Sequence, residues 1–153
     1  MPPKDVFTAI STTERVAASL YKWITGNRGF KRTVAIELQE NIELVRLYVT
    51  SGAEPRELIP KLKEDAFRNA LAQGFNFNTL KRSKISAAST RNIPQLRSYH
   101  GWSTQKLFES VYTKIATLKH AATLPSGQKP VRTGVRLINV FKLMVVLAHH
   151  IGE

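Results

Sequence analysis

The 153-residue chain carries 23 Lys/Arg against 11 Asp/Glu, a formal net charge of +12, with 42% apolar residues and no Cys. Such a length buries a core in one domain, spanning 1–153, without staples. The missing cysteines exclude disulfides, thiolate catalysis and Cys-ligated zinc. The first residues hold no apolar run of signal-peptide type, and the longest such run, Leu143 to Ala148, is too short to span a bilayer. The expectation is a soluble, cytoplasmic protein.

Helical periodicity dominates. Between about Lys4 and Thr25, Val6, Ile10, Ala17, Leu20 and Ile24 recur at helix spacing, and Gly26-Asn27-Arg28-Gly29 supplies the turn. A second helix is predicted from about Phe30 to Thr50, with Val34, Leu38, Ile42, Val45 and Val49 in one line. Asn41 falls beside that line, as a buried polar residue that fixes register or, the preferred reading, at a solvated edge, and Glu37 and Glu40 are expected on the solvated face. A third stripe continues from Pro55 to Gln73-Gly74, starting or kinking at Pro60.

After residue 103 the pattern returns. Ser103 or Thr104 is a cap for a helix whose stripe is Leu107, Phe108, Val111, Tyr112, Ile115, Leu118 and Ala122. The last helix, about Val131 to Ile151, is apolar over most of its circumference, which predicts a central position or a face for a second copy. There are no period-2 strands. The fold class is therefore all-α: a four- to five-helix antiparallel bundle with a long basic connector before the last two helices.

The connector is the informative stretch. Residues 1–65 hold ten Lys/Arg against nine acids, whereas residues 66–153 hold thirteen against two, Glu109 and Glu153. From Phe75 to Trp102 there is no acid at all; Lys81, Arg82, Lys84, Arg91 and Arg97 are spaced among Phe75, Phe77, Tyr99 and Trp102. Cations neutralise phosphates and aromatic faces stack on unpaired bases, so this mixture suits a single strand. A short helix is expected at Asn92-Ile93-Pro94, ended by Gly101. Lys106 near the start of one helix, and Lys129, Arg132 and Arg136 around the start of the next, oppose the helix dipoles, as a sequence tolerates when an anion sits at the helix end. The expected nucleic-acid-binding set is Lys81, Arg82, Lys84, Arg91, Arg97, Tyr99, His100, Trp102, Lys106, Lys129, Arg132 and Arg136.

His100 falls inside that set. An Arg/His pair can cleave RNA, the His moving a proton and the Arg stabilising the charged phosphorus intermediate. The all-α ribonuclease superfamily called HEPN carries such a pair as Arg, about four to six residues, then His on a helix. Here Arg97 stands too near His100 and Arg91 too far, and Lys114 with His120 has the gap but begins with Lys, so no catalytic residue is carried over. His149 and His150 are neighbours that point about 100° apart on a helix, unsuited to one metal, and protonated imidazoles in a last turn complement the dipole. No phosphate loop, dinucleotide fingerprint, H-E-x-x-H or G-x-S-x-G is present.

These residues predict a non-catalytic module that binds RNA or single-stranded DNA, without cofactor, metal or membrane. It resembles, in class, the small accessory subunits of prokaryotic defence and retroelement complexes. Two alternatives stand beside it: a ribonuclease-type bundle using His100 with Arg97 or Arg91, and a homo-oligomeric interaction protein with an acidic protein partner.

Overall fold

In the computed structural model, residues 4–90, 93–124 and 133–152 are described, with side chains from residue 15 onward. Six α-helices follow one another: α1 Lys4–Thr25, α2 Gly29–Ser51, α3 Pro55–Leu58, α4 Asp65–Ala72, α5 Thr104–Ala122 and α6 Thr133–Gly152. No strand occurs among the described residues. The chain is an all-helical bundle.

The predicted α5 stripe is buried from Leu107 to Leu118 (Leu107, Phe108, Val111, Tyr112, Ile115 and Leu118), and its last member, Ala122, is half-buried. The α2 line is buried from Val34 to Val45, with Val49 half-buried, and its helix stops at Gly52, whose φ of 73° lets its N–H return to the Tyr48 carbonyl at 3.1 Å. α6 is the centre, packed against α1, α2, α3 and α5. Its residues from Val140 to Ala148 are buried without interruption, Lys142 included. By length and composition α6 also suffices to cross a bilayer. The apolar-run count missed this because isolated polar residues break the run without lowering the helix's hydropathy much. A Cβ on Gly134 would come 3.0 Å from the Tyr48 hydroxyl, so α6 starts hard against the end of α2.

The third predicted helix is a correction. Pro60 has no N–H, and its ring would clash with the carbonyl of Arg56, so the helix gives way to a 3₁₀ turn at Ile59–Lys61 and restarts as α4. Two polar residues of α2 hold the break. Asn41, 1% exposed, bonds the Lys63 backbone through both ends of its amide, each at 2.8 Å. Glu37, 5% exposed, accepts the N–H groups of Ala66 and Phe67 at 2.7 and 3.1 Å. Neither is on a solvated face, because the interrupted backbone supplies partners that a continuous helix would not.

Candidate nucleic-acid interface

The connector is anchored at both ends. Its first aromatics belong to the core: Phe77 is fully buried, with ring centroids 5.0 Å from Phe75, 5.2 Å from Phe67 and 5.1 Å from Phe108. Phe75 in turn meets Phe30 at 5.8 Å. These two rings are thus removed from the aromatic set a strand could stack upon. Leu80, Ile85 and Ile93 are buried behind them, pinning a segment that is otherwise loop and 3₁₀ turn.

The second anchor closes a loop. Ile85 N–H reaches the Trp102 carbonyl, and Gly101 N–H reaches the Ile85 carbonyl, each at 2.9 Å. Gly101 has a φ of 85°, open to glycine at no steric cost. The backbone at Ile85, one residue after Lys84, is thereby held beside the chain entering α5. Between the two ends, the short helix expected at Pro94 is present as a 3₁₀ helix, Pro94–Tyr99.

α5 begins at this junction, and its start is already occupied. Ser103 caps it by accepting the Lys106 N–H at 3.2 Å, while the Gln105 N–H goes to Asn78 Oδ1 at 2.9 Å. The expected anion at this helix end therefore finds those donors taken by the protein's own side chains. Lys106 instead places its ammonium 4.1 Å from the centre of the Trp102 ring, a cation–π contact. Tyr99 packs edge-on against the same ring, centroids 4.6 Å apart.

His150 is the other surprise. It is 1% exposed, with Nε2 2.9 Å from the Thr104 hydroxyl, which donates to the Lys81 carbonyl at 2.7 Å. Burial, helped by the charge of Lys81, pushes its pKa down to about 4, against a weaker opposing hydrogen bond to the Ser83 backbone. The expectation of a protonated His150 complementing the helix dipole is therefore corrected: the imidazole is neutral and joins α6, α5 and the connector.

Of the expected binding residues, Arg82, Lys84, Arg97, His100 and Lys106 are exposed, while Lys81, Tyr99 and Trp102 are partly buried. His100 Nε2 is hydrogen-bonded to the Thr90 hydroxyl. Arg136 is exposed near the start of α6. Arg91, Lys129 and Arg132 lie outside the described residues. Among the described residues the ion pairs join Glu40, Glu43 and Glu64 to Lys63, Arg46, Arg68 and Lys119; none involves Arg82, Lys84, Arg97 or Lys106.

Sequence reasoning missed His150 and Thr104 as the joint that holds the connector, and it left Lys114, on the exposed side of α5 with Lys106, out of the phosphate-binding set. Counting exposed positions along that helix would have found Lys114. No family model, curated protein or solved structure matches the chain.

Proposed function

We propose that the protein is a non-catalytic nucleic-acid-binding module, preferring RNA or single strands, that works as a small cytoplasmic accessory subunit of a larger nucleoprotein complex. The observation that carries this reading is the junction of connector and α5. Backbone bonds tie Ile85, next to Lys84, to Trp102, Lys106 lies against the Trp102 ring, and Arg82, Lys84 and Arg97 are exposed cations with no acidic partner among the described residues. Cations attract the phosphates, and the Tyr99–Trp102 pair offers an aromatic surface to an unpaired base.

Fluorescence anisotropy with a single-stranded RNA and its duplex, at low and high salt, tests it. The expected result is salt-sensitive binding, stronger for the single strand, that an Arg82→Ala/Lys84→Ala variant loses. Absence of binding at low salt overturns the reading. RNA cleavage that disappears in His100→Ala would move the protein to the ribonuclease class instead.

A further inference from the structure

α5 and α6 leave a groove between their outer faces, about 410 Å³ in volume. Lys114 flanks it from α5, and Arg136 and Asn139 from α6; all three side chains are exposed. Its floor is apolar, formed by Leu118 and Val140. No acidic residue lines it, and neither cation forms an ion pair among the described residues. Two cations converging on one groove repel each other, so the arrangement is most favourable with an anion between them.

The groove also lies in line with the connector. Lys106 and Lys114 sit on one exposed side of α5, with Thr113 and Thr117, and eight residues of helix separate them by about 12 Å at about 1.5 Å per residue. Phosphates of a stacked strand follow one another at about 3.4 Å, so about four nucleotides span that distance.

We infer that the α5–α6 groove is a second phosphate-binding subsite, and that α5 is a track along which one nucleic-acid strand runs from Trp102 and Lys106 to Lys114 and Arg136. This rests on the nucleic-acid reading above and adds a length requirement to it. A strand too short to reach the groove engages only the connector end. Lys114 and Arg136 contact backbone phosphate and therefore raise affinity without regard to sequence.

The test uses the full chain and fluorescein-labelled oligoadenylates, whose bases stack, one of about 3 nucleotides, too short for a span of about 12 Å, and one of about 12. Wild type is compared with Lys114→Ala/Arg136→Ala and with Arg82→Ala/Lys84→Ala. All four sites are exposed, and thermal melting monitored by circular dichroism verifies that each variant is folded. The expected result is that the groove variant binds the short strand like wild type but loses the extra affinity for the long one. Its slope of log affinity against log salt on the long strand should fall by about 1.4, because two phosphates go unneutralised at about 0.7 each.

A groove variant that keeps wild-type affinity and slope on the long strand overturns the inference. If the connector variant fails on both lengths in that case, the proposed function survives without the track. Wild type binding neither strand overturns both. Poly-glutamate displacing the long strand at equal charge would reassign the groove to an acidic protein and equally overturn the proposal.

Discussion

The His150 imidazole and the Thr104 hydroxyl meet 2.9 Å apart, forty-six positions from each other in sequence, and join the last turn of α6 to the first turn of α5. Through the Lys81 carbonyl the same hydroxyl holds the basic connector. One buried joint thus sets where the cations of the proposed interface stand relative to α5.

That joint makes stability depend on pH. The folded pKa of His150, about 4, lies below its ordinary 6.5. Between these values the unfolded chain binds a proton that the folded chain does not, so stability is fully present above pH 6.5 and is lost as pH falls toward 4. Urea unfolding across that window should show a falling midpoint in wild type and a flatter profile in His150→Phe. An identical pH profile in the two proteins would show that His150 is not the group responsible. Thr104→Val, which removes the hydroxyl that bridges His150 and the Lys81 carbonyl, should cost about 1–3 kcal/mol at neutral pH.

The break between α3 and α4 should be equally sensitive. Glu37→Ala removes the acceptor of two backbone N–H groups, and Asn41→Ala unpairs the Lys63 backbone. Each should lower the unfolding free energy by about 1–3 kcal/mol, the cost of stranding buried polar groups. Changes within about 0.5 kcal/mol, the ordinary range for surface sites, would contradict the burial of both side chains.

The Tyr112 phenol lies in the same region, stacked on Phe67 at 4.2 Å. Burial first, and the negative charge of Glu37 second, push its pKa well above the ordinary 10. In a spectrophotometric titration, the difference between wild type and Tyr112→Phe should therefore appear only beyond pH 10. A difference centred at 10 would contradict the packing.

At the proposed interface, Trp102→Ala should weaken single-strand binding by about 1–3 kcal/mol, the usual worth of one stacked base. Lys106→Ala should act mainly through phosphate, lowering the salt slope by about 0.7, the share of a single neutralised phosphate on a single strand. Anisotropy titrations at several salt concentrations separate the two effects. Equal affinity in Trp102→Ala and wild type would show that no base stacks on this ring.

Local pattern revealed what depends on periodicity. The α5 stripe, the extent of α1 and the central place of α6 were legible because apolar residues recur every 3.6 positions in the sequence. Glu37, Asn41 and His150 were not. Each is a polar residue on or beside an apolar stripe, with its partner 22 to 46 residues away, and no neighbouring residue signals that partner. The connector was half legible. Its charge pointed to a polyanion, but Phe77 reads the same in sequence whether it faces a base or the core, and only tertiary packing decides. The α5–α6 groove needed the relative placement of two helices, which no single stripe contains.

Photocrosslinking of single-stranded RNA carrying iodouridine, with the modified peptide identified by mass spectrometry, probes the interface itself. Crosslinks should fall at Tyr99 or Trp102, the partly exposed aromatic pair beside Lys106. Crosslinks confined to α1 or α2, with none at that pair, would contradict a strand seated at the junction of connector and α5.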